Sequence, residues 1–349
     1  MKGTVRMKTV SIVVPVYNAQ RYLEECVGSL LAQTYENVEI LLVENNSSDN
    51  SFELCKKFAE SYSNVKAFTL PHAKGPSSAR NFGISKASGE YIGFCDSDDY
   101  VKSEMVTDLV TYLEKSESDY VISDMYAERI SSDLGLPWED GAVFDAAQIK
   151  DTMIPLYIGN ESDNDTAIPV WGSVVKCLFK KETIQKGNIR FPEELSFAED
   201  LIFTLRYLSC CRRAVVRDKS YYFYRYNGAS LMNSYNNYKP EMTAAYFELM
   251  REMSAILKDN AIYEACQNRF FTTARAYIKE CVGNACKKSA QRKFFDCAEE
   301  VRQIVNDELT RQAFCRFDAS EKKKKLIYTL IQKKKVLLLT LYYSFRARM

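Results

Sequence analysis

Apolar residues follow two alternating rhythms over the first 125 positions. Val10 to Val14 is a short apolar run that predicts a buried strand. Leu23, Cys26, Val27, Leu30 and Leu31 then recur at the i, i+3, i+4, i+7, i+8 spacing of a helix packed along one side. The same reading predicts strands at Val38 to Val43, Val65 to Leu70, Tyr91 to Cys95 and Tyr120 to Ser123. Helices are predicted between them at Ser51 to Tyr62, Ser78 to Ala87 and Ser103 to Lys115. Apolar strands alternating with helices predict an α/β fold, a mostly parallel sheet covered by helices on both faces.

The alternation fades over 126–240. Ser131 to Gly141 is polar and turn-rich, and Asn160 to Thr166 is an acidic loop. Trp171, Phe179, Phe191 and Phe197 follow, then Glu199-Asp200 opening an apolar helix, then a tyrosine-dense strand from Tyr221 to Tyr226. The pattern from Pro240 to Leu309 is helical. Four segments result: 1–125, 126–240, 241–319 and a tail, 320–349.

Composition removes several classes. With 349 residues, 46% hydrophobic and 27% charged, the chain is neither disordered, collagen-like nor a disulfide scaffold. A net charge of +1 argues against a nucleic-acid binder. It also hides an asymmetry, because the tail alone carries +8 and the body −7. The eleven cysteines are odd in number and lack C-x-x-C spacing, and no secretory signal is apparent, so a reducing cytoplasm and a role as small core residues are expected. His72 is the single histidine, which removes Ser-His-Asp and Cys-His catalysis and leaves a zinc site improbable. Acid–base chemistry must then come from carboxylates, Lys or Tyr.

In open α/β sheets ligands bind beyond the carboxyl ends of the strands. Those ends read Pro15-Val16-Tyr17-Asn18, Glu44-Asn45-Asn46-Ser47-Ser48-Asp49 and Asp96-Ser97-Asp98-Asp99. No glycine-rich phosphate loop accompanies them, but a divalent cation can bridge carboxylate and diphosphate. Asp96 and Asp98, at i and i+2 past a buried strand, can reach a metal ion and a ribose or phosphate together. Taken alone, the acidic run reads first as a solvated helix-capping turn; the strand before it and the two neighbouring polar loops turn the reading toward a site.

The run Ser11 to Asn18, Ser29 to Thr34, Gly75 to Gly83 and Gly89 to Tyr100 resembles the family 2 glycosyltransferases of the GT-A fold, bacterial cell-surface polysaccharide type. The similarity covers residues 10–125 and recurs at Phe197-Ala198-Glu199-Asp200. It implies a donor site in which Pro15 and Tyr17 line the base pocket and Glu44, Asn45 and Asn46 meet the uracil and ribose. It further implies Asp96 near the ribose and sugar, Asp98 as ligand of Mn2+ or Mg2+, Arg80 near the diphosphate, and Asp200 as general base. Arg225, in Tyr-Arg-Tyr-Asn-Gly-Ala-Ser-Leu, falls in a stretch that approaches donor or acceptor in the family; a surface strand residue is an equal alternative. Asn45 departs from the family, which commonly places a carboxylate there; its amide can still accept a hydrogen bond from uracil, without the charge.

The activity implied is inverting transfer from a nucleotide-sugar, a UDP-sugar first, to a glycan or lipid-linked glycan. A non-catalytic nucleotide-binding scaffold stays open at this point. A nucleotidyltransferase would need a basic triphosphate loop that is absent. In the tail, basic clusters Lys322 to Lys325 and Lys333 to Lys335 alternate with apolar blocks, the longest of about ten residues, below the roughly 20 that span a bilayer. An amphipathic basic helix on the inner face of the cell membrane is expected, against the alternative of a terminal helix packed on the body.

Overall fold

The computed structural model describes residues 7–72, 75–162, 170, 172–226, 238–287, 292–315, 317 and 325–346. Trp171, Asn227, Ser230, part of the acidic loop after Asn160, Lys322 to Lys324 and Arg348 lie outside the described residues. The chain forms two compact units, 1–150 with 171–227, and 151–170 with 228–349. Segments 1–125 and 126–240 of the sequence reading thus contribute strands to one sheet.

The first unit opens with β1 (Val10–Val16), α1 (Leu23–Leu31), β2 (Val38–Glu44), α2 (Ser51–Ser61), β3 (Val65–Thr69), α3 (Pro76–Lys86) and β4 (Tyr91–Phe94). It continues with β5 (Tyr100–Val101), α4 (Met105–Ser116), β6 (Tyr120–Ala127), β7 (Ser132–Asp133), β8 (Val143–Asp145) and α5 (Ala146–Gln148). After α6 (Ile154–Ile158), which belongs to the second unit, the chain returns with β9 (Cys177–Lys180), α7 (Lys181–Lys186), α8 (Glu199–Cys210) and β10 (Arg213–Tyr224). The strand order is β3-β2-β1-β4-β9-β6-β10-β5, with β7 beside β6 and β8 beside β10.

The long ladders are parallel: β1 with β2 and β4, β2 with β3, β6 with β10. The short strands β5, β7, β8 and β9 join antiparallel. All seven residues of β2 are buried, and each buried Val, Leu or Ile contributes about 1.5–3 kcal/mol. This explains why β1 and β2 read so clearly as mainly apolar runs. Nine of the eleven cysteines are buried, consistent with service as small apolar side chains.

Two glycines decide how closely the layers pack. A Cβ on Gly83 would lie 2.3 Å from Val13 Cγ1, so α3 can settle onto β1 only with glycine there. A Cβ on Gly89 would meet Ser11 Oγ at 2.6 Å and the Thr9 carbonyl oxygen at 2.7 Å. At that corner the buried carboxylate of Glu39 accepts from Ser11 Oγ, from the Ser88 N–H at 2.5 Å and from Lys66 Nζ at 3.1 Å. Burial by itself would raise the Glu39 pKa, but these hydrogen bonds outweigh it and hold the group down to about 2. A depressed carboxylate stabilises the fold above its unfolded value and loses that contribution as pH falls through the folded one. We therefore expect Glu39→Gln to cost on the order of 3 kcal/mol at neutral pH, with the difference from wild type vanishing near pH 2. Denaturant titrations at pH 7 and pH 3 check this; equal midpoints at pH 7 would refute it.

The second unit is helical: α6, α9 (Pro240–Asp259), α10 (Tyr263–Ala285), α11 (Phe294–Asn306) and α12 (Glu308–Cys315), with α10 touching each of the others. The tail forms two helices instead of one amphipathic rod, α13 (Lys325–Gln332) and α14 (Val336–Arg346). Its lysines 333–335 sit in the turn between them. No helix among the described residues is long and apolar enough to cross a membrane.

Candidate active site

The parallel ladders deliver the carboxyl ends of β1, β2 and β4 to one edge of the sheet. Asn18 and Asn46 adopt positive φ (48° and 62°), a conformation that asparagine tolerates better than most residues, and both strands end in sharp turns. Asn18 Oδ1 accepts from the Ser48 N–H (2.8 Å), and the Asn18 N–H donates to Ser47 Oγ (3.0 Å), so the two loops are stitched together. Glu44 is turned inward, accepting from the Ser47 N–H. Asn45 is buried, its N–H bonded to the Val16 carbonyl and its Nδ2 to the Gly75 carbonyl at the start of α3. Pro15 is half-buried at the end of β1, Asn46 is exposed, and the Tyr17 ring is 57% exposed at the rim.

The loop after β4 is held from below by β10. Asp99 is buried, and its carboxylate accepts from Tyr222 Oη (2.6 Å) and from the Arg225 N–H (2.8 Å). Tyr222 Oη in turn accepts from the Asp96 N–H (3.1 Å), so one hydroxyl brackets both ends of the acidic run. Burial, then the charges of Asp96 and Asp98, push Asp99 up to about 8. Arg225 Nε donates to the Asp98 carbonyl (2.9 Å), and its Nη2 pairs with Glu25 of α1 (2.6 Å). The guanidinium lies over the rings of Tyr22 and Tyr100. Arg225 therefore braces the loop that carries Asp98.

A second cluster centres on Arg80, whose side chain is only 5% exposed. Its Nη2 binds Asp96 Oδ1 (2.8 Å), and its Nη1 binds Glu199 Oε1 (2.9 Å) and lies 3.1 Å from Asp200 Oδ1. One cation thus joins β4, α3 and the first turn of α8. The neighbouring Asn81 fastens the same helix to the chain leading into α8, exchanging hydrogen bonds with the backbone N–H and carbonyl of Phe191 (both 2.9 Å). Beneath the charges, Phe191 stacks on Phe203 (4.1 Å), with Phe94 and Phe179 packed edge-on. His72 lies exposed, away from these contacts.

Asp200 is the unusual member. Its side chain is 19% exposed, Oδ2 accepts from the Val174 N–H (3.3 Å), and Oδ1 has no aligned hydrogen-bond donor among the described residues. Removal from water over an aromatic bed raises its pKa to about 7, the Arg80 charge opposing and Glu199 and Asp96 assisting. A carboxylate largely removed from water and titrating near neutrality is suited to taking a proton.

Asp96 and Asp98 are both partly exposed, whereas Asp99 is committed to Tyr222 and Arg225. No group of three or more His, Cys, Asp or Glu side chains that could hold a metal occurs among the described residues. Such a donor set suits a hard divalent cation held by one carboxylate, with ligand phosphate and water supplying the remaining oxygens.

Asp96, Arg80 and Asp200 are brought together, and Asp98 and Arg225 form a second group. Glu25, Tyr222 and Glu199 complete these groups without having been singled out as site residues. Only Glu199, adjacent to Asp200, carried a signal in the sequence.

Residues 11–140 match the model of glycosyl transferase family 2. GlyG, a glycosyltransferase of Streptococcus pneumoniae, is 32% identical over 228 residues, 64% of this chain and 73% of that protein. The uncharacterized glycosyltransferase EpsJ of Bacillus subtilis is 29% identical over 347 residues, 97% of each chain. Among solved structures, residues 1–349 of Staphylococcus aureus TarS in complex with UDP-GlcNAc superpose with a TM-score of 0.66 at 21% identity, covering 97% of this chain and 91% of that one. The parallel strand ladders, the acidic loop past β4 and these similarities agree: the chain belongs to the family 2 glycosyltransferases and is an enzyme of sugar transfer.

Proposed function

We propose that the protein is an inverting glycosyltransferase that moves a sugar from a UDP-sugar to a hydroxyl of a glycan or lipid-linked glycan, with Asp200 as general base. The position and environment of Asp200 carry this reading. As the acceptor oxygen bonds to the anomeric carbon and the bond to the diphosphate breaks, the hydroxyl proton passes to Asp200. The pKa of about 7 suits that transfer. Arg80 holds Asp200 in place and limits how far burial raises its pKa.

The exposed ring of Tyr17 offers a stacking surface for the base, and Asn45, its Nδ2 held by the Gly75 carbonyl, lies at the strand end where uracil would sit. TarS, which has the same fold, binds UDP-GlcNAc, and this supports a UDP-sugar donor. Asp98, with Asp96 beside it, would hold Mn2+ or Mg2+, and the cation would offset charge on the departing diphosphate. Arg225 acts through the loop it braces. The basic tail suits contact with the inner face of the cell membrane, where a lipid-linked acceptor would be found.

The pH profile tests the base. Ionised Asp200 is required, so kcat/KM should rise about tenfold per pH unit below pH 7 and level off above it. Folding runs the opposite way. A carboxylate raised from 3.8 to about 7 contributes stability that is complete below the lower value and is lost as pH rises through the higher. A profile flat from pH 5 to pH 8 would remove Asp200 from the role.

A further inference from the structure

The outward face of α14 is apolar where solvent should meet polar residues. Leu337, Leu338, Leu341 and Phe345 are between 53 and 69% exposed, with Tyr342 beside them. At about 100° per residue these five positions share one continuous arc that carries no charge. The opposite arc is also apolar: Leu339 is fully buried, Tyr343 lies against Gly283 of α10, and the helix packs on α11. A helix apolar over most of its circumference belongs in a core or against another apolar phase, and among the described residues α14 has a protein partner on one side only.

The surrounding charge indicates what covers the other side. Lys333, Lys334 and Lys335 stand exposed immediately before the helix, and Arg346 closes it, so cations flank the apolar arc at both ends. Leu326 on α13 is exposed as well. With eleven residues, α14 is about 16 Å long and can lie along a bilayer but not cross it. A second copy of the chain would bring the like-charged clusters toward each other, whereas an anionic lipid surface complements both the cations and the apolar face.

We infer that the face formed by Leu337, Leu338, Leu341, Tyr342 and Phe345 inserts into the headgroup region of an anionic bilayer, with Lys333, Lys335 and Arg346 pairing with lipid phosphates while Lys334 Nζ donates to Asn306 Oδ1. This rests on the membrane contact proposed above and assigns it to one helix face. A surface so docked keeps the second unit at the membrane without a spanning segment.

The test uses the full chain in flotation with vesicles of phosphatidylcholine alone or mixed with phosphatidylglycerol. Wild type should float with the anionic vesicles and not with the neutral ones. The variant Leu337→Ser/Leu341→Ser/Phe345→Ser should lose binding at least about tenfold, with vesicle-free donor hydrolysis unchanged. Phe345→Trp, which keeps the face apolar, should show tryptophan emission quenched by brominated lipids. Serine-variant binding equal to wild type, or no quenching, overturns the inference. If that variant still binds but Lys333→Ser/Lys335→Ser does not, the tail meets the membrane by charge alone and the inserted face is wrong. Failure of wild type to bind anionic vesicles removes both readings. A dimer dissolved by the serine variant would make a second copy the occupant and also overturns the inference.

Discussion

Asp200→Asn should lower kcat by about 10²- to 10⁴-fold while leaving UDP affinity within a factor of two or so. The substitution keeps the shape of the side chain and the hydrogen bond from the Val174 N–H, but the amide cannot take a proton from an acceptor hydroxyl. Asn also removes one of three carboxylates around Arg80, so the variant should be no less stable than wild type at pH 8. Loss of turnover without loss of stability or donor binding separates chemistry from folding. Titration calorimetry with UDP and Mn2+, beside steady-state kinetics, reads both. A variant retaining wild-type kcat sinks the assignment.

Arg80→Met should have the largest effect on the fold. The methionine fills similar volume, but Asp96, Glu199 and Asp200 then face one another without the cation that joins them. Breaking a buried ion pair on one side costs about 3–5 kcal/mol, because the remaining charge is left without a partner. At a few degrees per kcal/mol, melting should fall by roughly 10 °C at pH 8. The penalty should ease toward pH 5. With Arg80 gone, Asp200 loses the influence that lowers its pKa and protonates more readily, which relieves the repulsion. Arg80→Lys keeps the charge but not the two-pronged geometry and should fall between. Equal melting of Arg80→Met and wild type at pH 8 would contradict the architecture described.

The framework of this site was legible because it rests on local patterns. β1 and β2 are mainly apolar runs, broken inside only by Ser11 and Glu39, α1 has an unambiguous helical stripe, and the polar residues at the strand ends mark where a ligand belongs. The observed β1 and β2 extend the predicted runs by two residues and one residue into the site loops, since Pro15, Val16 and Glu44 pair in the ladder. Short antiparallel strands were not legible. β9 has four residues, Cys177–Lys180, and its place between β4 and β6 comes from tertiary packing rather than periodicity.

Long-range polar partners were equally silent. Tyr222 and Asp99 are 123 positions apart, and Arg225 and Glu25 are 200 apart. No spacing rule connects them, although both pairs decide where the acidic loop sits. Arg80 lies in a motif that marks the family, but its three acidic partners come from β4 and α8 and become visible only once those elements meet. In the tail, composition gave the charge but not its geometry. The lysines occupy a turn, and the exposed face of α14 is leucine and phenylalanine.

The account turns on a single displacement assisted by Asp200, and the anomer released first is its most direct readout. Time-resolved proton NMR of donor hydrolysis, with a panel of α-linked UDP-sugars and Mn2+, separates the two outcomes. The account predicts that the β-anomer of the free sugar appears first with wild type and that Asp200→Asn produces neither anomer above background. Initial release of the α-anomer, or hydrolysis undiminished in Asp200→Asn, would contradict it.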